Sequence, residues 1–261
     1  MRVSKKLTII AVAVFLLLFF SLRFLQGNYV VPILTYHSID YVVVPKMELL
    51  TVSPVTFEKQ MRFLKEHRYN VLPLETVAML IKDKKKVPAH TVAITFDDGF
   101  QDNYRYAFAI LKKYNLPATI FIIVNEVARP HANRLTWDEI IEMKDSGIIS
   151  FGSHALDAQP LTEIKSDAQL RKQIFLSKEI LEERLNSKVT AFSYAHGSFT
   201  PKIRQLVIDA GYKFSVATRP RNHPKDDIFA LRRIRISEKD KNLLRFWFKA
   251  CGYYNLFSKR K

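Results

Sequence analysis

"TVAITFDDG", residues 91–99, is the stretch that decides the fold. Residues 91–96 have the β-branched and aromatic composition of a buried strand, and Asp97, Asp98 and Gly99 follow directly. In parallel α/β folds, chemistry lies at the carboxyl ends of the strands. A turn at Gly99 would bring both carboxylates, which point opposite ways on an extended chain, into one cavity. From spacing alone, an ordinary pair of loop aspartates remains an equal alternative.

Strand-like and helix-like patterns alternate on both sides of this stretch. Eight short apolar runs predict strands at residues 30–36, 71–74, 92–96, 118–124, 148–153, 191–194, 214–217 and 231–236. Helices are predicted from Ser53-Pro54 onward and at residues 104–114, 137–143, 168–185 and 201–210. This alternation predicts an α/β fold, a distorted (β/α) barrel of TIM type with seven or eight strands. An open doubly wound sheet is the second interpretation.

The N-terminus differs in composition from the rest of the chain. Arg2, Lys5 and Lys6 precede residues 7–22, which carry no charge. No small-residue cleavage site follows, so residues 1–28 are interpreted as a signal anchor with one membrane helix, and residues 29–261 as an extracytoplasmic domain. A removed signal peptide is the alternative.

The formal net charge is +16, and the only cysteine is Cys251. A basic surface suits anionic lipid headgroups or anionic glycans, and a solvated basic surface without a partner stays open. Nucleic acid is not expected, because no compact Lys/Arg run is interleaved with aromatic residues. A single cysteine excludes an intramolecular disulfide and a cysteine-based zinc site.

Three histidines stand at predicted strand ends. His37 ends "LTYHS", His154 lies in "FGSHALDAQPLT", and His196 precedes a glycine in "FSYAHGS". Each one alone is compatible with a packed or hydrogen-bonded histidine. The turn at His196 would expose backbone N–H groups that can hold an oxyanion, although a plain β-turn explains it too.

Together these motifs resemble the polysaccharide deacetylase family, carbohydrate esterase family four. Thr95-Phe96-Asp97-Asp98-Gly99 matches the first motif of that family in full. The resemblance continues through "VPILTYHSI", "NYRYAFAILKKYNLPATIFI", "LTWDEIIEMKDSGI", "AFSYAHGSF", "DAGYKFSVAT" and "FALRRIRI". It implies a distorted (β/α) barrel and the hydrolysis of N-acetyl groups on an aminosugar polysaccharide, with a divalent metal, zinc, as cofactor.

The resemblance also implies roles for single residues. Asp97 matches the catalytic base, Asp98 a metal ligand, and His154 the first of two metal histidines. His196 stands where the family donates a backbone N–H to the oxyanion, and Arg233 matches an arginine of the last strand.

The chain departs from the family at the second metal histidine. That position falls on Ala158, or on Gln159 in a variant spacing. Catalytic zinc normally has three protein ligands. Asp157 is the preferred third ligand, because it is nearest in sequence and its carboxylate suits zinc, while Gln159, His37 and His196 are alternatives.

Because the second metal histidine is missing, a second interpretation stays open. In it, the chain is a catalytically weak or inactive member of the family that binds glycan in the groove where the family binds its substrate. His223 is the position-based candidate for a late catalytic acid.

Overall fold

The computed structural model describes residues 12, 14–17, 19–20, 23, 29–41, 47–129, 133–218, 224 and 226–254. The predicted signal anchor, residues 1–28, falls mostly outside these ranges. In the described part of the chain, no helix combines the length and the hydropathy needed to cross a bilayer.

Seven parallel strands close into a barrel. The strands among the described residues are β1 (Ile33–Tyr36), β2 (Ser38–Ile39), β3 (Thr51–Val52), β4 (Asn70–Val71), β5 (Thr91–Phe96), β6 (Ala118–Ile122), β7 (Ile149–Ser153), β8 (Ala191–Ser193), β9 (Phe214–Ala217) and β10 (Leu231–Arg235). The order around the ring is β1-β10-β9-β8-β7-β6-β5, and β1 closes it by pairing with both β10 and β5. The predicted barrel is therefore confirmed, and the open sheet is wrong.

Helices surround this barrel. They are α1 (Pro54–Glu66), α2 (Leu74–Lys82), α3 (Ala109–Tyr114), α4 (Trp137–Asp145), α5 (Asp167–Arg171), α6 (Ser177–Leu185), α7 (Pro201–Asp209) and α8 (Leu243–Ala250). Ser53 caps α1 by accepting the backbone N–H of Thr56 at 3.2 Å, as the Ser-Pro pair predicts. Residues 103–108 and 172–176 add π-helical turns before α3 and α6.

Two helices were not predicted. The apolar run at residues 71–74 was interpreted as a strand, but β4 ends at Val71, because Pro73 cannot donate to a ladder. Helix α2 then begins at Leu74 without a side-chain cap, so the usual start signal is missing. Helix α8 also lay outside the predicted elements.

Strands β1, β5 and β6 are buried at every residue. This burial is typical of parallel strands that helices cover on the outside and side chains fill on the inside. Because all strands of the ring run the same way, their carboxyl ends meet on one face, which we call the barrel mouth. Their amino ends meet on the opposite face, the barrel base.

Candidate active site at the barrel mouth

The two aspartates that follow β5 lie together at the mouth, beside His154. Asp98 has a φ of 70° and Gly99 one of 65°, so two successive left-handed residues reverse the chain. His154 Nε2 lies 3.9 Å from Asp97 Oδ2 and 3.5 Å from Asp98 Oδ1. The positive φ of Gly99 favours glycine there, and a Cβ at position 99 would also lie 2.9 Å from Ile122 Cδ1, the end of a side chain that would have to shift.

Asp97 forms a buried, bidentate ion pair with Arg233. Arg233 Nη1 and Nη2 donate to the two Asp97 carboxylate oxygens, each at 2.6 Å, and Nη2 also donates to Ser193 Oγ at 2.9 Å. Burial opposes ionisation of Asp97. The adjacent Arg233 charge, with smaller contributions from His154 and His37, outweighs burial and holds the pKa of Asp97 well below its usual range. Asp97 is therefore ionised at neutral pH.

His154 is oriented by backbone carbonyls. Its Nδ1 lies 2.8 Å from the carbonyl oxygen of Ser193, so Nδ1 carries the proton and donates it. Its backbone N–H donates to Ile122 O at 2.8 Å, which joins the ends of β6 and β7. Nε2 consequently faces Asp98 and is the nitrogen available to a metal. Histidines that bind metals are fixed in this way by a carbonyl at the other nitrogen.

His37, at the end of β1, is the second imidazole beside Asp97. Its Nε2 lies 3.9 Å from Asp97 Oδ2, and the residue is 9% exposed. Its buried Nδ1 has no hydrogen-bond partner among the described residues. Burial lowers the pKa of His37, although Asp97 and Asp98 oppose the change. The ring is thus neutral at pH 7.

Asp102 and Asn103 form a buried set of hydrogen bonds, here called the clamp, with the chain around His37. The sequence analysis did not predict it. Asp102 accepts from Ser38 Oγ at 2.7 Å and from the Ile39 N–H at 2.9 Å. Asn103 Nδ2 donates to the His37 carbonyl and to Asp102 Oδ1, both at 2.8 Å. The only signal in the sequence is a polar pair that follows Asp98 closely, before an apolar helical pattern.

The carboxylate of Asp157 is held by amide side chains. Its Oδ1 accepts from Asn125 Nδ2 at 2.8 Å and its Oδ2 from Gln173 Nε2 at 2.6 Å. These contacts fix the loop after β7. In this position the predicted third ligand already has two partners, so binding a metal would require it to leave them.

His196 lies in the turn after β8. Its φ is 56°, and its exposed ring Nε2 lies 3.2 Å from the carbonyl oxygen of Ala158. The next amide, of Gly197, donates to Tyr194 O at 2.8 Å. In the described part of the chain, the backbone N–H of His196 donates to no protein acceptor. That N–H is available at the mouth, as an oxyanion donor must be.

The residues present fit a metal with two protein ligands. Adjacent ligand atoms on a tetrahedral zinc lie about 3.4 Å apart, given bonds of about 2.0–2.1 Å. The 3.5 Å between Asp98 Oδ1 and His154 Nε2 matches this spacing. Across the residues that the structure describes, no group of three or more His, Cys, Asp or Glu side chains could hold a metal ion. His223 lies outside those residues.

Comparison with known proteins gives a consistent family. The profile of the polysaccharide deacetylase family matches residues 84–215. YxkH of Bacillus subtilis, a candidate polysaccharide deacetylase, is 33% identical over 210 residues, which are 79% of this chain and 71% of YxkH. The poly-beta-1,6-N-acetyl-D-glucosamine N-deacetylase of Staphylococcus aureus is 28% identical over 209 residues, 76% of this chain and 72% of that protein.

A solved structure extends the likeness to the fold. The deacetylase PplD of Streptococcus pyogenes, solved in complex with acetate, is similar with a TM-score of 0.73 and 30% identity. The likeness covers 84% of this chain and 98% of PplD.

Proposed function

Because the chain belongs to the polysaccharide deacetylase family, we propose that it removes N-acetyl groups from an aminosugar polysaccharide of the cell envelope in a reaction that depends on zinc. Hydrolysis of an amide bond is the chemistry of the family. One observation carries the proposal: Asp97 and Asp98 both face Nε2 of His154, and Arg233 holds Asp97 ionised. The S. aureus relative, named for a poly-N-acetylglucosamine substrate, supports the substrate class.

Asp97 is the proton acceptor in this proposal. Arg233 and Ser193 fix the plane of its carboxylate, so an attacking water would meet it in one orientation. The low pKa keeps Asp97 ionised but gives little driving force for taking a proton from ordinary water. A divalent cation bound to Asp98 and His154 would supply what is missing, because it lowers the pKa of a bound water and polarises the acetyl carbonyl.

His37 and the turn after β8 complete the reaction. Since Nδ1 of His154 is committed to Ser193, His37 is the imidazole that is left to move a proton beside Asp97. We assign to it the relay of a proton: the neutral ring would take up the proton that Asp97 receives from water and pass it to the leaving amine, which leaves both Asp97 and His37 as they began. The backbone N–H of His196 is assigned to the developing oxyanion.

The proposed activity is tested by acetate release from short N-acetylglucosamine oligomers, with and without added zinc. Release that stops on chelation and returns with zinc supports the proposal. Oligomer binding without acetate release at any metal concentration would instead favour a glycan-binding relative, which the missing second histidine suggests. A protein that does not bind the oligomers and does not release acetate would reject both functions.

The two-ligand site leads to a prediction about Ala158. Ala158→His would restore the third ligand, so zinc affinity is expected to rise by more than the ~10–100-fold that outer-shell changes alone produce. Calorimetric titration with zinc measures the change. Equal affinity of parent and variant would contradict the two-ligand site; loss of metal in Asp157→Ala, His37→Ala or His196→Ala would then identify the residue that already fills the position.

We also propose that the apolar residues 7–22 hold the protein in the membrane with the barrel on the outer side. The supporting feature is the basic flank, Lys5 and Lys6, that precedes them. Full-length protein is expected to stay in the membrane pellet during alkaline carbonate washing. A soluble protein that lacks about its first 25 residues would show a cleaved signal peptide instead.

A further inference from the structure

The segments that precede the strands at the barrel base carry an excess of positive charge. Every strand from β4 to β9 is preceded by a segment that contains at least one lysine. We define the base segments as residues 65–70, 82–90, 112–117, 144–148, 186–190 and 210–213. They contain eleven lysine or arginine residues and three aspartate or glutamate residues.

Most of these basic side chains are exposed, and several lack a counter-charge. Lys85 pairs with Asp83 at 3.1 Å, and Lys213 with Glu75 at 3.2 Å. Lys82, Lys84 and Lys86 are exposed, and within the described chain no carboxylate lies at ion-pair distance from them. The base therefore presents uncompensated positive charge.

The barrel mouth has the opposite balance. The described loops that follow β1, β5, β6, β7, β8 and β10 contain ten acidic and five basic residues. An evenly solvated basic surface would show no such polarity. The asymmetry points to an anionic partner on the side of the base.

The chain enters the barrel at the base. Tyr29 OH donates to the carbonyl oxygen of Thr91, the first residue of β5, at 3.2 Å. The Val30 N–H donates to Gly252 O at 3.0 Å, and the Tyr29 ring lies 5.8 Å from that of Tyr253. The uncharged run of residues 7–22 ends only a few residues earlier.

We propose that the barrel base docks on anionic phospholipid headgroups and orients the active site away from the membrane. The inference goes beyond deacetylation and rests on the apolar N-terminal run as anchor. Juxtamembrane lysines attract anionic lipid, and salt screens that attraction. The barrel wall separates the two faces, since the six residues of β5 span about 20 Å at about 3.3 Å per residue. The mouth thus lies beyond the headgroup charge, whose Debye length is about 8–10 Å, where an extended glycan has access.

Residue-resolved amine labelling tests the docking. Full-length protein is reconstituted into vesicles of phosphatidylcholine alone, or with about one third phosphatidylglycerol, and treated with a membrane-impermeant acylating reagent. Mass spectrometry compares the labelling rates of Lys82, Lys84 and Lys86 with those of the mouth-side Lys202 and Lys239. The mouth-side rates correct for the fraction of protein whose barrel is enclosed inside the vesicles, out of reach of the reagent. We expect at least fivefold slower labelling of the base lysines in anionic vesicles, reversed by 0.5 M salt.

Two matched triple variants distinguish an effect of the base lysines from an effect of the total positive charge. In Lys82→Gln/Lys84→Gln/Lys86→Gln, protection of Lys213 is expected to fall. Lys165→Gln/Lys202→Gln/Lys239→Gln removes the same charge from the exposed mouth side and should protect Lys213 as the parent does.

Three results would overturn the proposal. The first is equal labelling of base and mouth lysines in both types of vesicle, or a full-length protein that does not associate with either type of vesicle. The second is protection of the base lysines in phosphatidylcholine vesicles as strong as in anionic vesicles. That result would show that the apolar N-terminal run alone brings the base to the membrane. The third is protection by a soluble acidic polysaccharide but not by anionic lipid, which would identify a polymer as the partner.

Discussion

Asp97→Asn is expected to lower acetate release by ~10²–10⁴-fold, the usual cost of losing a general base. The amide keeps the shape of the carboxylate but cannot take a proton from water. Because Asp97 is 3% exposed and points at Arg233, no solvent molecule can readily replace it. The effect should fall on kcat.

Metal content distinguishes a lost base from a lost metal. Asp97→Asn should keep zinc close to the parental level, whereas Asp98→Asn should lose it. Asp157→Asn is the matched control, since that carboxylate also follows a barrel strand but is engaged by Asn125 and Gln173. It should retain most of the activity. Parental acetate release by Asp97→Asn would reject the assigned base.

Arg233→Met is expected to lower the free energy of unfolding at pH 7 by about 3–5 kcal/mol. The variant keeps the volume of the side chain roughly constant but leaves the Asp97 carboxylate buried without its counter-charge. Both partners are almost fully buried, with side-chain exposures of 0% and 4%. Urea unfolding measures the loss. Arg204→Met, at a partly exposed pair with Asp227, is the control and should cost about 0–1 kcal/mol.

The loss of unfolding free energy in Arg233→Met should be largest at neutral pH and should decrease on acidification. In the parent, the pKa of Asp97 is lower in the folded than in the unfolded state, so its ionisation stabilises the fold above the unfolded pKa, about 4. This contribution disappears on acidification. In Arg233→Met, burial raises the folded pKa of Asp97, so the charged form destabilises the fold at neutral pH and protonation relieves it. The difference between the two proteins therefore shrinks as pH falls toward 4.

A double variant isolates the pair. Asp97→Asn/Arg233→Met removes both charges and should recover much of the stability that Arg233→Met alone loses. An additive loss in the double variant, or an equal loss at all pH values, would show that Arg233 stabilises the fold by packing alone.

The sequence predicted the barrel because each barrel strand has its own local signal. Short apolar runs ended at polar residues, and helical periodicity lay between them. The turn that brings Asp97 and Asp98 together was also predictable, because Gly99 permits a left-handed conformation directly after a strand.

Contacts between distant segments were not predictable. The family resemblance suggested Arg233, but its bidentate pairing with Asp97 joins residues 136 positions apart. The amides that hold Asp157 come from a loop after β6 and from a π-helical turn, so nothing in the sequence near Asp157 reveals them. The clamp of Asp102 and Asn103 on the chain around His37 was hidden for the same reason.

Closure of the barrel by β1 has a consequence for how the chain folds. The first strand of the ring pairs with β10, the last to leave the ribosome or the translocation channel. Such a distant pairing has high contact order and forms late. Strand β10 also brings Arg233 to Asp97, so a chain that ends before β10 lacks the counter-charge that the Asp97 carboxylate has in the finished protein. The ion pair between Asp97 and Arg233 is thus expected to form only after β10 has been synthesised and has joined the ring.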